Sequence, residues 1–154
     1  MASDFLIARC PHCGAKNRIP AGRWGDDRAV CGRCKSTLPF SSLFPDHPVY
    51  VTDGAFPREV LGFRGAVLVE FYSPVCGHCQ RMAPIIEEVA SAYAGRVKFV
   101  LLNIDQNRHT PSQYGVNGTP TFFFYKAGRL VDRVVGALPK SDLTKRLDSL
   151  VAGT

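Results

Sequence analysis

Hydrophobic positions follow two different periods along the larger, second part of the chain. Residues 66–72 and 97–104 are near-continuous apolar runs, which are typical of strands buried on both faces of a sheet. Between them, apolar residues from Met82 to Tyr93 recur at the helical spacing i, i+4, i+7, i+8 and i+11. This pattern predicts a helix from Cys76 to about Tyr93.

The full pattern predicts an ordered series of elements from residue 49 onward. They are a short strand at 49–52, a short helix at 56–63, a strand at 66–72, a helix at 76–93, a strand at 97–104, a helical or irregular crossover at 106–114, strands at 121–126 and 130–135, and a last helix capped by Ser141. The dipeptide Ala127-Gly128 signals a hairpin between the last two strands. The order indicates an α/β fold with a mixed central sheet and helices on both faces.

The first 45 residues differ from the rest because their apolar residues are too scattered to bury a core. A bound metal is expected to stand in for hydrophobic area in a module of this size. Residues 41–48 contain two prolines and are interpreted as a linker. We therefore predict two domains, a metal-binding module with its linker at 1–45 and an α/β domain at 46–154.

Positive charge is concentrated in the same segment. The 154 residues carry a net charge of +6, and residues 1–45 hold seven Lys or Arg against three Asp or Glu, a net of +4. Four thiolates and one Zn²⁺ sum to −2, so cations next to the cysteines have a local charge to offset. These cations are Arg9, Lys16, Arg28, Arg33 and Lys35. Nucleic acid is therefore not the expected partner of this segment.

Composition and the N-terminal residues narrow the expected compartment. No apolar run reaches the ~18–20 residues that a membrane-spanning helix needs, so no membrane partner is expected. Residues 1–10 lack a basic region and contain only four consecutive apolar residues, too few for a secretory signal. We expect the cytoplasm, where structural disulfides do not persist.

Four of the six cysteines have the spacing of a zinc site. Cys10 and Cys13 form one Cys-x-x-Cys pair, Cys31 and Cys34 form another, and seventeen residues separate the pairs. Each pair can present two sulfurs from one tight turn, and two such turns complete a tetrahedron around one ion. A full shell of four ligands leaves no open position, so the expected role of zinc is structural.

Neighbouring residues refine this zinc hypothesis and leave alternatives open. Gly14 and Gly32 lie next to ligand cysteines, where tight turns often need a positive φ. His12 lies inside the first turn and is expected to be a bystander rather than a ligand. Iron suits the same four sulfurs, and the alternatives without metal are two structural disulfides or thiols that are unrelated in space.

The third cysteine pair points to redox chemistry. Cys76 and Cys79 follow a buried strand by three residues and begin a helix, whose N-terminus stabilises a thiolate. Cys76 lies at the exposed end of the turn and is predicted to attack a disulfide. Cys79, one turn further in, is predicted to resolve the mixed disulfide. The alternative is a third metal half-site or an inert pair.

Several segments together resemble a known family. They are Val67–Tyr72, Cys76–Cys79, Ala83–Pro84, Asn103–Asp105, Gly118–Thr121 and Val135–Ala137. In this order and spacing, residues from about 49 to 152 resemble the thioredoxin family. The four-cysteine module makes the whole chain similar to the zinc-containing bacterial branch of that family.

The resemblance implies a thioredoxin fold and a set of substrate-binding residues. It implies a cis peptide bond between Thr119 and Pro120, facing the redox pair, with the Thr119 backbone free to pair with an extended substrate. Gly136 is implied to line an apolar patch that docks partners. Val75 lies on the same rim, where the family usually carries tryptophan, so part of the aromatic surface is missing.

Glu70 stands where the family has a buried aspartate. A carboxyl on a buried strand should have a raised pKa, and it can then accept the Cys79 proton directly or through water. Leu101 replaces a lysine that often neighbours this carboxyl, which should raise the pKa of Glu70 further. A structural carboxylate is the alternative, because the extra methylene changes the geometry.

Gly77 and His78 complete the redox motif and are included with its catalytic residues. Thioredoxins usually carry proline at the second of these positions, and Cys-Gly-His-Cys is found in protein disulfide isomerase. A partly charged imidazole stabilises the thiolate and so the reduced form, which makes the protein more oxidising. The alternative is an exposed histidine that changes the potential little.

The favoured function is a protein-disulfide reductase that cycles between a Cys76–Cys79 dithiol and a redox-active disulfide. No nucleotide-binding motif is found, so the resemblance implies an NADPH-dependent thioredoxin reductase flavoenzyme as the electron donor and disulfide-bearing proteins as substrates. A more oxidising, isomerase-like enzyme is the first alternative. A zinc-dependent, redox-switched binding or holdase protein is the second.

Overall fold

The computed structural model describes residues 5–20, 29–38 and 44–152. Its strands are β1 (Phe5–Arg9), β2 (Lys16–Pro20), β3 (Val49–Tyr50), β4 (Ala66–Tyr72), β5 (Val97–Asn103), β6 (Thr121–Lys126) and β7 (Arg129–Val135). Its α-helices are α1 (Gly77–Ala92), α2 (His109–Gln113) and α3 (Lys140–Ala152), and Pro57–Leu61 forms a π-helical turn. The predicted succession of elements after residue 48 is confirmed.

Five strands form a mixed sheet in the order β3-β5-β4-β6-β7. Strands β3, β5 and β4 are mutually parallel, whereas β6 and β7 are antiparallel to their neighbours. The carboxyl ends of the three parallel strands therefore lie at one edge of the sheet, where open α/β sheets place their functional sites.

Helical layers cover both faces of this sheet. Ala66 and Leu68 of β4 face a core shared with α1 and α3, and the alternate residues Val67, Val69 and Phe71 face a core shared with the π-helical turn. Side chains alternate along a strand, so a continuous apolar run is required only where both faces are buried. The predicted two-sided burial of β4 is confirmed.

The ribbon, residues 5–20 and 29–38, contains the antiparallel hairpin β1-β2, which the sequence did not predict. Its core is a small cluster that includes Ala8, Ile19 and Leu38, and Phe44 completes it. The Phe44 ring also meets Phe63 edge to face, with 5.4 Å between ring centroids. Phe44 is 1% exposed, and its side chain packs the ribbon core against Phe63 of the sheet domain.

One of two local predictions near the C-terminal end needs correction. The last helix begins at Lys140, and the N–H groups of Asp142 and Leu143 donate to the Pro139 carbonyl at 3.1 Å, so Ser141 is inside the first turn and is not its cap. The Pro139 carbonyl, rather than the Ser141 hydroxyl, accepts hydrogen bonds from the first turn. The hairpin at Ala127-Gly128 is confirmed, with φ of 51° and 79° at these residues.

No helix in the described ranges has both the length and the apolar character needed to cross a bilayer.

Candidate active site and metal centre

Cys76 is held at the junction between β4 and α1. It is the N-cap of α1, with extended backbone angles of −85° and 117°, and its Sγ accepts a hydrogen bond from the Cys79 N–H at 3.2 Å. Its own N–H donates to the Ser73 carbonyl at 3.1 Å. A sulfur in this position receives the unpaired N–H groups of a helix start, which stabilise an anion.

The two cysteines of this site have opposite environments. Both are free thiols; Cys76 is half-buried, and Cys79 is 5% exposed. Burial opposes ionisation of Cys76, but hydrogen bonds from Cys79 and the first-turn N–H groups outweigh it and lower its pKa. Burial raises the pKa of Cys79 to about 11, and the hydrogen bond with Cys76 adds to this effect. The geometry therefore favours Cys76 as the attacking thiolate.

Glu70 lies on β4 among apolar neighbours. Its register partners are Leu101 on β5 and Phe122 on β6, and its side chain is 3% exposed. Burial, followed by the negative charge of Cys76, raises the pKa of Glu70 to about 8. The predicted direction of this shift is confirmed, and a carboxyl with this pKa can exchange a proton near neutral pH.

The loop before β6 lies next to Cys76. The Thr119–Pro120 peptide bond is cis, and the Thr119 carbonyl oxygen lies 3.5 Å from the Cys76 Sγ. The Gly136 N–H donates to the Pro120 carbonyl at 2.8 Å, and its φ of +100° belongs to the region that favours glycine. The structure thus brings Thr119, Pro120 and Gly136 together beside Cys76.

Exposed apolar side chains surround this loop. Val75, directly before Cys76, is 86% exposed, and Val135, directly before Gly136, is 69% exposed. Both exposed valines therefore lie next to residues of this loop and of the Cys76 turn.

The two residues between the cysteines lie in the first turn of α1. Gly77 and His78 are both exposed, and His78 Nδ1 is 2.7 Å from Nη2 of Arg81. A guanidinium group only donates hydrogen bonds, so Nδ1 is the acceptor. The contact is compatible with a neutral imidazole. It therefore gives no support to the prediction that a charged His78 stabilises the Cys76 thiolate.

Ser73 is a site residue that the sequence analysis missed. Its hydroxyl donates to Asp105 Oδ2 at 2.7 Å and accepts from the Val75 N–H at 3.4 Å, while its carbonyl accepts from Cys76. The serine thereby joins the loop before Cys76 to the loop after β5. The only signal in the sequence was a small polar residue directly after a buried strand.

The four ribbon cysteines converge on one point. Cys10 Sγ and Cys34 Sγ are 3.5 Å apart, Cys13 Sγ and Cys31 Sγ are 3.6 Å apart, and all four sulfurs lie within 4.8 Å of one another. A regular tetrahedron with ~2.3 Å metal–sulfur bonds has sulfur–sulfur edges of about 3.8 Å. The sulfurs therefore fit one tetrahedral ion, and the exposed His12 is not part of the cluster.

Two similar turns present these sulfurs. The Gly14 N–H donates to the Cys10 carbonyl at 2.9 Å, and the Lys35 N–H donates to the Cys31 carbonyl at 3.0 Å. Gly14 has a φ of +75°, as predicted, but in the second turn Lys35, with a φ of 66°, takes the left-handed position that had been assigned to Gly32. In both turns the residue with positive φ follows the second cysteine of the pair, whereas Gly32 follows the first cysteine of its pair.

Hydrogen bonds to sulfur favour the ionised form of Cys31 but not of every ribbon cysteine, because burial and the neighbouring thiols raise the pKa of Cys13 to about 11. The N–H groups of His12 and Arg33 donate to Cys10 and Cys31, each at 3.4 Å, and the Asn17 amide donates to Cys31 at 3.5 Å. Backbone N–H groups, with Asn17, lower the pKa of Cys31. Of the cations expected to offset the site, Arg28 lies outside the described residues, as do residues 41–43 of the linker.

Two family models match the chain. The model described as "Thioredoxin" matches residues 47–149, and the model described as "Thioredoxin 2, N-terminal", a zinc ribbon, matches residues 9–36. The second match coincides with the cysteine cluster and the first contains the Cys76–Cys79 site.

Proteins named thioredoxin are similar to most of the chain. The thioredoxin of Acidithiobacillus ferridurans is 46% identical over 104 residues, which cover 68% of this chain and 96% of that protein. Thioredoxin 1 of a Nostoc species is 45% identical over 98 residues, covering 64% and 92%. A solved structure of an asparagine-to-glutamine mutant thioredoxin from Halobacterium salinarum NRC-1 is 31% identical, with a TM-score of 0.64 over 70% of this chain and 93% of that chain.

Proposed function

Because this chain belongs to the thioredoxin family, whose members reduce protein disulfides, we propose that it does so through the Cys76-Gly77-His78-Cys79 site. The observation that carries the proposal is the contrast between the two cysteines, an accessible sulfur with a lowered pKa and a buried one with a raised pKa. Reactivity resides in the thiolate, so this contrast defines the order of attack.

The proposed reaction moves two electrons from the protein to the substrate. The Cys76 thiolate attacks one sulfur of a substrate disulfide, forms a mixed disulfide and releases a substrate thiolate, which takes a proton from water. Cys79 gives its proton to the Glu70 carboxylate, directly or through water, and attacks the Cys76 sulfur. This step releases the second substrate sulfur as a thiolate, which takes a proton from water, and leaves the Cys76–Cys79 disulfide.

We propose that the substrate strand pairs with the Thr119 backbone beside Pro120, over an apolar rim formed by Val75 and Gly136. The proximity of the Thr119 carbonyl to Cys76 and the exposure of Val75 support this placement. An NADPH-dependent thioredoxin reductase is the proposed electron donor. A reducing cytoplasm is the proposed compartment, because it keeps Cys10, Cys13, Cys31 and Cys34 available as thiolate ligands.

We propose that these four cysteines hold a structural Zn²⁺ and that the module with its linker extends to residue 45. The convergence of the four sulfurs and the zinc-ribbon match support the metal site. Metal analysis of the purified chain should give one zinc per chain. One iron per chain would show that iron occupies the site instead.

Trapping of the mixed disulfide tests the proposed order of attack. The Cys79→Ser variant should accumulate a covalent adduct with a disulfide-bearing protein such as insulin, because Cys76 attacks but nothing resolves the product. Cys76→Ser should form no adduct and lose insulin reduction in the presence of a reductase and NADPH. An adduct that forms through Cys79 in the Cys76→Ser variant would contradict the proposal.

The second candidate function is that of a more oxidising, isomerase-like enzyme, and it rests on the presence of His78 in the motif. A two-electron potential near about −180 mV would favour it, whereas a value near about −270 mV is expected for a thioredoxin-like reductase. Equilibration with glutathione, followed by alkylation of free Cys76, measures this value.

A further inference from the structure

A cleft of about 630 Å³ lies between the ribbon and the β3 edge of the sheet. Ile7 and Arg9, on the same face of β1, line its ribbon side. Tyr50 of β3 and Arg58 of the π-helical turn line its other side, and Lys98 of β5 also lines the cleft.

The walls of the cleft expose apolar side chains. Ile7 is 47% exposed and Tyr50 is 75% exposed, and neither belongs to the core clusters of the described residues. Large apolar groups that face each other across an open cleft mark a contact surface for a partner.

The cleft also carries an excess of positive charge. Among its lining residues, Arg9, Arg58 and Lys98 are cationic and Glu59 is the one carboxylate. Glu59 is shared, because its Oε2 is 2.6 Å from Lys98 Nζ and its Oε1 is 3.1 Å from Arg58 Nε. The excess favours an occupant with negative charge.

The cleft continues toward the redox site. Tyr50 ends β3, and its ring contacts the ring of Tyr72 at the end of β4, with 6.2 Å between centroids. Three loop residues separate Tyr72 from Cys76. Because β3 and β4 are both parallel to β5, the carboxyl ends of β3 and β4 lie on the same side of the sheet. Tyr50 at the end of β3 is therefore on the side that carries the Cys76 sulfur.

From these observations, we propose that the cleft binds an acidic and apolar segment of the protein whose disulfide Cys76 attacks. The proposal rests on the proposed function and assigns the ribbon a direct part in substrate selection. Ile7 and Tyr50 contact apolar side chains of this segment, and Arg9 and Arg58 pair with its carboxylates.

A charge-swap experiment with the full, metal-loaded chain tests the proposal. The probes are two synthetic disulfide peptides with identical rings, one extended by alternating glutamate and leucine and the other by alternating lysine and leucine. The wild-type chain should reduce the acidic peptide with a kcat/KM about 3–10-fold higher, as expected for two exposed ion pairs. The Arg9→Glu/Arg58→Glu variant should prefer the basic peptide, and the preference should shrink at high salt.

Controls separate the cleft from the redox centre. Arg129→Glu/Lys145→Glu makes the same change in charge elsewhere and should keep the wild-type preference. Tyr50→Ser should lower kcat/KM for both peptides, and reduction of hydroxyethyl disulfide should be unchanged in every variant. Metal content and circular dichroism verify that each variant is folded.

The opposite results would overturn the proposal. A wild-type preference below twofold, or one that persists in the Arg9→Glu/Arg58→Glu variant, would exclude the cleft as the binding site even though hydroxyethyl disulfide is still reduced. Competition by a single-stranded oligonucleotide without any peptide preference would assign the cleft to nucleic acid instead. Failure of the wild-type chain to reduce hydroxyethyl disulfide would contradict the proposed function itself.

Discussion

At the scale of single residues, Glu70 links stability to pH. Its pKa of about 8 in the folded chain exceeds the value near 4.5 of an exposed glutamate, so the folded state binds a proton more tightly than the unfolded state between these values. The stability that this proton contributes is complete below about pH 4.5 and is lost as the pH rises through about 8.

Glu70→Gln should therefore stabilise the reduced protein at pH 7.5 by about 4 kcal/mol and leave its stability near pH 4.5 almost unchanged. Urea unfolding at the two pH values measures the difference. Glu87→Gln, which removes an exposed carboxylate of α1, should show no such dependence on pH. Equal effects of Glu70→Gln at both pH values would contradict the burial argument.

The same substitution tests the role of Glu70 in the second step of exchange. Release of product from a preformed mixed disulfide should accelerate in the wild type as the pH rises through the pKa of Glu70, which burial still raises although Cys76 carries no charge in this state. Glu70→Gln should slow this release by about 10²-fold at neutral pH and remove that inflection. Stopped-flow measurement of product release gives both results. An unchanged profile would leave Glu70 as a structural carboxyl.

Ser73 gives a second prediction at this scale. Ser73→Ala removes the hydroxyl that donates to Asp105 and accepts from the Val75 N–H, so the loop that carries Cys76 loses its connection to the β5 loop. We expect a loss of about 1–3 kcal/mol in stability, and a lower alkylation rate of Cys76 at pH 7. Ser73→Thr keeps the hydroxyl and should retain most of that rate. If Ser73→Ala alkylates as fast as the wild type, the hydroxyl does not position Cys76.

At the scale of elements, the sequence predicted what depends on periodicity and missed what depends on turn geometry. The two-sided burial of β4 and the start of α1 at Cys76 follow from patterns that only one secondary structure satisfies. The predictions of a helix cap at Ser141 and of a positive φ at Gly32 were wrong. Each depends on a single backbone hydrogen bond, which the amino-acid composition does not reveal. The Ser73–Asp105 contact joins residues 32 positions apart, so no local pattern announces it.

The paired turns of the ribbon provide a test within one molecule. Gly14 and Lys35 occupy equivalent left-handed positions, and a Cβ added at Gly14 would meet no atom within 4 Å. Gly14→Ala should therefore cost about 1 kcal/mol from backbone conformation alone, whereas Lys35→Gly should be neutral or stabilising by up to about 1 kcal/mol. Competition with a chelator should show weaker metal binding only for Gly14→Ala. Gly54→Ala, with open space and no positive φ, is the matched control.

At the scale of the whole molecule, the proposed metal site and the proposed substrate cleft both depend on the ribbon. The ribbon core is one small cluster completed by Phe44, so the four-sulfur site is expected to supply much of its stability. Ile7 and Arg9 form one wall of the cleft and belong to the ribbon, whereas Cys76 and Glu70 belong to a sheet domain with two cores of its own.

Removal of the metal by a chelator under reducing conditions should therefore separate two properties. Reduction of hydroxyethyl disulfide should stay within about twofold of the metal-loaded rate, because the redox pair keeps its helix and strand. The preference for the acidic peptide should fall by about 3–10-fold, since the wall that carries Arg9 is lost, and addition of Zn²⁺ should restore it. Equal loss of both activities would show that the ribbon stabilises the redox site itself, and an unchanged preference would show that the ribbon wall takes no part in binding.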